Sequence, residues 1–405
     1  MISTATKTEW KDTTLGEVAT RITKGTTPTT LGFDFVETGV NFIKVESITD
    51  DGKLLSSKFA HIADETHTAL SRSILQEDDI LFSIAGAIGR SALVPKEVLP
   101  ANVNQAVAIV RPNKEKILPR FLAFLLLNKE VIRFTNSIVA QSVQANINLQ
   151  QLSDLEISLP STKQQQEITA ILGCIDDKIE LLKNQNETLE QTAQAIFNEW
   201  FVKPITNGNL PDEWKMGTLG DVLDVKGGTT PSTRNAEYWD GDIHWTTPKD
   251  LSDRRDAFLL DTNSRITEKG LARIGSGLLP VGTLLLSSRA PIGYIAITAI
   301  PLAINQGYIA INSRGAWNNH FTFLWLKANM SLVLSAANGS TFMEISKGSF
   351  RTIETPLPPT ELLESFSKGV SPMFEKILSN IRSIKSLSSI RDALLPRLMS
   401  GEIKV

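Results

Sequence analysis

The chain has 405 residues, 41% of them hydrophobic and 21% charged, with 41 Lys and Arg against 44 Asp and Glu. Such a length predicts two or three domains with ample core, and the composition excludes a disordered, collagenous or purely coiled-coil chain. One cysteine, Cys174, and four scattered histidines exclude an internal disulfide and a metal cluster, a reducing cytoplasm is the expected compartment, and no apolar run is clean enough to predict a membrane span.

In chain order, residues 1–160 are punctuated by Gly and Pro, with β-rich runs at 41–48, 79–84 and 106–111 and an apolar helical stretch at 119–137. That pattern predicts a mixed α+β domain. Residues 161–203 hold one glycine, and their apolar positions step by four and three through Ile168, Leu172, Ile175, Ile179, Leu182, Asn186, Leu189, Ala193, Ile196 and Trp200. This is a heptad seam, and a helix of this length spans roughly 57 Å. Residues 204–358 repeat the α+β texture, with β-rich runs at 243–246, 283–288 and 307–312 and a helix near 319–336. The last segment, 359–405, repeats the seam through Phe366, Val370, Met373, Ile377, Asn380, Ile384, Leu387, Arg391, Leu394 and Leu398.

The halves also match residue by residue. Gly25-Thr26-Thr27-Pro28 answers Gly228-Thr229-Thr230-Pro231, Asn104-Gln105 answers Asn305-Gln306, and Ser83, Ile88 and Gly89 answer Ser287, Ile292 and Gly293. The offset drifts from 204 to 198, as small loop insertions would produce. The chain therefore reads as an internal duplication. Each seam carries one asparagine, and antiparallel pairing lets Asn186 face Asn380, whereas parallel pairing buries each amide against an apolar residue at about 1–3 kcal/mol. The expected fold is α+β: two duplicated domains joined by two long helices in an antiparallel intramolecular coiled coil with pseudo-two-fold symmetry. Arg391 would face Ile175 in that register, and its side chain is expected to extend outward.

Several stretches carry a resemblance: LPDEWKMGTLGDV (Leu210 to Val222), GGTTPS (Gly227 to Ser232), YWDGDIHWTTPKDLSD (Tyr238 to Asp253), GSTFMEIS (Gly339 to Ser346), FNEWFV (Phe197 to Val202) and RDALLPRLMSGEI (Arg391 to Ile403). The chain resembles the specificity subunits of type I restriction-modification systems. The resemblance implies two target-recognition domains, 1–160 and 204–358, each followed by a spacer helix, 161–203 and 359–405. Each domain would read one half of an asymmetric bipartite site in double-stranded DNA while the helices set the gap. The implied partners are two methyltransferase subunits and two restriction-translocase subunits, which would carry S-adenosylmethionine, ATP and Mg, with no cofactor on this chain. In the first half SVQANINLQ (Ser142 to Gln150) stands for GSTFMEIS and KVESI (Lys44 to Ile48) for TPKDL.

No chemistry of its own is legible. The sole Pro-Pro pair, Pro358-Pro359, is followed by Thr360, so the Pro-Pro-aromatic loop of an adenine methyltransferase is missing, and no phosphate-binding G-x-x-x-x-G-K-[ST] occurs. Glu213-Trp214-Lys215 and Glu402-Ile403-Lys404 imitate a nuclease Glu-x-Lys without a second carboxylate at suitable spacing. A non-catalytic DNA-binding subunit is the expectation. The rival readings are a self-contained methyltransferase or nuclease with fused recognition domains, and a protein-binding tandem scaffold.

The net charge of −3 gives no basic excess, so phosphate contacts are expected from local clusters and from partners. Base reading needs bidentate groups on loops, Arg or Lys for guanine and Asn or Gln for adenine. The candidates are Thr26, Thr27, Lys44, Arg90, Asn104 and Gln105 in the first half, and Thr229, Thr230, Lys249, Arg254, Arg289, Asn305 and Gln306 in the second. About half of the repeated ones are expected to shape turns instead. Phe197, Phe201, Leu395 and Met399, off the seam, are the expected docking positions for methyltransferase subunits.

Overall fold

The computed structural model describes residues 10–405 except 129–130, 134, 136, 138–145, 206–208, 253–255 and 340–342. The chain divides into two compact units, one of residues 1–177 with 387–405 and one of 178–386. The boundaries fall inside the two long helices, Thr162–Phe197 and Thr360–Met399. Among the described residues no helix is long and apolar enough to cross a membrane.

In the first unit, β1 (Lys11–Thr14), β2 (Ala19–Lys24), β3 (Val40–Ile43), β4 (Ala60–Ile62), β5 (Ile80–Ser83), β6 (Ser91–Leu93), β7 (Ala101–Val103), β8 (Val107–Pro112) and β9 (Glu156–Leu159) make three sheets. Their orders are β1-β9, β2-β8-β5-β6 and β4-β3-β7. The β5 and β8 strands are buried almost throughout, which is why they read as continuous apolar runs without alternation. Phe82 and Val110 pack against Phe121 and Phe124 of the helix Pro119–Leu126, which begins on a proline suited to its first turn.

The second unit contains β10 (Lys215–Thr218), β11 (Leu223–Gly227), β12 (Trp239–Thr246), β13 (Phe258–Leu259), β14 (Ser264–Ile266), β15 (Leu284–Ser288), β16 (Ile292–Thr298), β17 (Ala303–Ile304), β18 (Tyr308–Ser313) and β19 (Glu354–Leu357). The orders β10-β19, β11-β18-β15-β16-β13 and β14-β12-β17 repeat those of the first unit, with β13 added at one edge parallel to β16. The parallel pair β3-β7 recurs as β12-β17. The runs expected at 79–84, 106–111, 283–288 and 307–312 are β5, β8, β15 and β18. β13 escapes any periodicity because it has only two residues.

The helix contacts within each unit follow polar matching. In the second unit Asn380, 1% exposed, donates from Nδ2 to Asn186 Oδ1 and to Gln185 Oε1, both at 2.8 Å. Phe197 lies 6.1 Å from Phe366 in the same unit, so later residues of the first helix meet earlier residues of the second. In the first unit Arg391 does not extend outward as expected. Its guanidinium is mostly buried and donates to Asp176 at 3.1 Å and to Asp392 at 2.9 Å. Burial alone would lower its pKa, but the two carboxylates outweigh that and hold it above the ordinary value.

Three of the four expected docking positions, Phe197, Phe201 and Met399, are core residues instead. Phe197 and Phe201 are 1% and 5% exposed, and both pack edge-on or tilted against Phe321 and Phe366. Near its end the first helix is covered on a second side by the helix Asn319–Ala328, and a π-type turn over Asn198–Val202 changes its phase. Trp200, assigned to the seam, is 37% exposed as a result. In the first unit Met399 is buried and Leu395 half-buried against the Phe121 cluster.

Two outcomes test this packing. Replacing Arg391 by Met strands the buried Asp176 carboxylate and is expected to cost about 3–5 kcal/mol in urea unfolding, with much of the loss recovered when Asp176→Leu is added. His320 stacks on Phe374 at 4.5 Å, accepts from or donates to Ser371 Oγ at 3.1 Å, and has its pKa pushed by burial down to about 4. Between pH 6.5 and about 4 the unfolded chain binds a proton that the folded chain refuses, so stability falls across that window as pH drops. A His320→Gln variant is expected to flatten this acid limb in thermal melts.

Candidate nucleic-acid interface

The described candidate residues of each half converge on one rim because a glycine permits a close backbone approach. A Cβ on Gly25 would sit 1.8 Å from the Val103 carbonyl oxygen, and one on Gly228 would sit 2.0 Å from that of Ile304. No other residue fits there. The Gly-Thr-Thr-Pro loop therefore lies directly on the Asn-Gln turn. Thr27 Oγ1 donates to Gln105 Oε1, and Thr230 Oγ1 donates to Gln306 Oε1 at 2.5 Å.

Three further ties complete the rim. The Asn104 amide donates to Ile43 O at 3.2 Å and the Asn305 amide to Thr246 O at 3.1 Å, which places the turn beside the residues that follow β3 and β12. Those residues are Lys44 and Thr247, each entering a short 3-10 turn with an amide donated to Ser47 Oγ or Asp250 Oδ2. Ile84 donates to Ala106 O at 2.9 Å and Ser288 to Gly307 O at 2.8 Å, bringing in the hairpins β5-β6 and β15-β16. Within the hairpins Ser83 Oγ accepts from the Arg90 amide and donates to Ala87 O, as Ser287 Oγ does with Tyr294 and Pro291.

The shared ties fix which positions correspond, and at those positions the side chains differ. Lys44 corresponds to Thr247, Glu46 to Lys249, Ala85 to Arg289 and Arg90 to Tyr294. Lys44 Nζ stands 4.6 Å over the half-exposed Phe35 ring. Arg90 Nε donates to the exposed Asp50 at 2.6 Å. Arg289 lies 3.8 Å from Glu344, its neighbour across a backbone bridge. Lys249 is exposed and makes no ion pair among the described residues. Arg254 lies outside the described residues.

The repeated candidates divide differently. The Thr27 and Thr230 hydroxyls are tied to Oε1 of Gln105 and Gln306, and Asn305 Oδ1 accepts from the Gly307 amide at 2.9 Å. Asn104 Oδ1 is a buried acceptor without a protein partner. Thr26 Oγ1 accepts from Arg72 Nη2 at 3.0 Å, a partner the sequence reading did not name. Thr229 contributes its backbone, donating to Ile304 O at 3.1 Å. Solvent-exposed ion pairs such as Arg90–Asp50 are worth only about 0–1 kcal/mol, so these arginines exchange partners at small cost. Among the described residues no group of three His, Cys, Asp or Glu side chains could hold a metal ion.

The family model of the type I restriction modification DNA specificity domain matches this chain twice, over residues 7–191 and 211–382. The HindI type I restriction enzyme specificity subunit of Haemophilus influenzae is 27% identical over 473 residues, covering 98% of this chain and all of that protein. The MjaIX specificity subunit of Methanocaldococcus jannaschii is 24% identical over 433 residues, covering 100% and 99%. In fold, the chain is similar to the crystal structure of a type I restriction-modification S subunit from M. genitalium, with a TM-score of 0.57, 16% identity and 98% of each chain covered.

The Thr–Gln ties give a test of framing against reading. Gln105→Leu and Gln306→Leu are each expected to cost about 0.5–1.5 kcal/mol of stability and to speed hydrogen exchange at 25–28 or 228–231, with the set of methylated bases unchanged.

Proposed function

Since the chain belongs to the type I restriction modification DNA specificity domain family, carrying that domain twice, we propose that it directs a type I restriction-modification complex to an asymmetric bipartite site, one half per unit. The chain is the specificity component, as its relatives are by name, and leaves catalysis to other subunits. The observation that carries the reading is one rim built twice on the same ties with different side chains projecting from it. Identical heads would read identical halves; these two differ at Lys44/Thr247, Glu46/Lys249, Ala85/Arg289 and Arg90/Tyr294.

In this reading Lys44 and Arg90 read bases for the first unit and Lys249 and Arg289 for the second, where a lysine or a bidentate arginine suits guanine. Asn104 and Asn305 shape the turn from which the readers project. Thr27, Gln105, Thr230 and Gln306 hold the loops that carry the readers. Arg254 belongs to the same proposal through its place in the sequence. The long helices form an antiparallel coiled coil that sets the gap between half-sites, a reading supported by the Asn186–Asn380 contact in one unit and the Arg391–Asp176 contact in the other. Two methyltransferase and two restriction-translocase subunits complete the assembly in the cytoplasm. S-adenosylmethionine, ATP and Mg bind on those subunits.

Mapping methylated adenines in cells with and without this chain tests the proposal: a split motif should vanish with the gene, and its persistence would refute the reading. Within that assay Arg289→Ala is expected to weaken target binding by about 1–3 kcal/mol and to relax one position in a single half of the motif, leaving the other half intact.

A further inference from the structure

The first unit has a pair of cations that the second lacks. Arg21, exposed on β2, donates from Nη2 to the Arg72 carbonyl at 3.3 Å, and Arg72, also exposed, donates from its own Nη2 to Thr26 Oγ1 on the rim. Across the β2-β8 ladder Arg21 stands directly opposite Arg111. Like charges at facing positions destabilise a sheet unless an anion compensates them. Arg111 has one, the fully buried Asp79 at 2.7 Å, and nearby Lys114 and Arg90 have Asp78 and Asp50. Among the described residues neither Arg21 nor Arg72 is in an ion pair.

The second unit treats the same places oppositely. Asp224 occupies the Arg21 position, opposite Asn312 in the ladder, and pairs with Arg314 at 3.2 Å. Ser276 occupies the Arg72 position, just as Ile274 matches Leu70, and its hydroxyl is buried without a partner. The repeated backbone bonds Leu75 to Ala101 and Leu279 to Leu302 fix that alignment.

We propose that Arg21 and Arg72 bind a phosphate of the duplex backbone beside the half-site read by the first unit, a contact that the second unit, with Asp224 and Ser276 at the matching places, does not make there. A guanidinium fork fits phosphate oxygens, and Thr26 offers a hydroxyl at the edge of the same site. The inference rests on the DNA-reading function above and adds an asymmetry to it.

The test uses the full chain assembled with its methyltransferase subunits, binding a target duplex and an unrelated one across a salt series. Arg21→Gln and Arg72→Gln are each expected to lower affinity about 3- to 10-fold for both duplexes and to reduce the salt slope by about one, with the methylated motif unchanged. Footprinting should shorten only at the flank of the first unit's half-site. Arg72→Lys, which keeps the charge, should retain most of the affinity. Unchanged affinity and slope, an altered base preference, or loss of subunit assembly with DNA contacts intact would each overturn the phosphate site. Failure of the unaltered complex to prefer its target would instead refute the function on which the inference rests.

Discussion

Each unit depends on a backbone contact that only a residue without a side chain can make. The approach of Gly25 to the Val103 carbonyl, and of Gly228 to that of Ile304, closes a loop onto a turn. With the loop in place, the threonine two residues on from Gly25 or Gly228 reaches the glutamine of the turn. The turn in turn bonds to the end of one strand, and the residue after it to the base of a hairpin. Remove that contact and four segments distant in sequence lose their common edge. The candidate surface is thus a consequence of main-chain geometry first and of side-chain choice second.

That ordering explains why the two halves keep one group of residues and change another. Residues that hold segments together answer to geometry, which the units share. Those that project from the edge answer to whatever lies outside, which the units do not share. The difference extends past the rim, since β2 faces solvent with Arg21 where β11 carries Asp224. A modest overall charge of −3 is therefore compatible with a strongly polarised local surface.

Much of this is legible in the sequence alone. Buried strands such as β5 and β15 declare themselves as apolar runs, and the long helices declare themselves through a seam that persists over many turns. The repeat located the Gly-Thr-Thr-Pro loop and the Asn-Gln turn, though only their contact shows that they belong together. What stayed hidden has a physical cause in each case. Arg391 looked like a misfit because its partner, Asp176, lies beside the seam and not on it. Phe197, Phe201 and Met399 looked free because a seam describes one buried side, while these helix ends are covered on two. Arg72 escaped notice because its bond to Thr26 joins residues 46 positions apart with no periodicity to link them.

The hairpin tips carry a consequence for how such a protein diversifies. Ala85 and Arg289 occupy the same place, yet the serine bonds at the hairpin base are the same in both units. Exchange at that place leaves the supporting contacts untouched, so it draws little on the narrow margin of stability that limits most mutational routes. On the proposed reading, a lineage can therefore move among targets by trading a handful of tip residues while inheriting the scaffold unaltered.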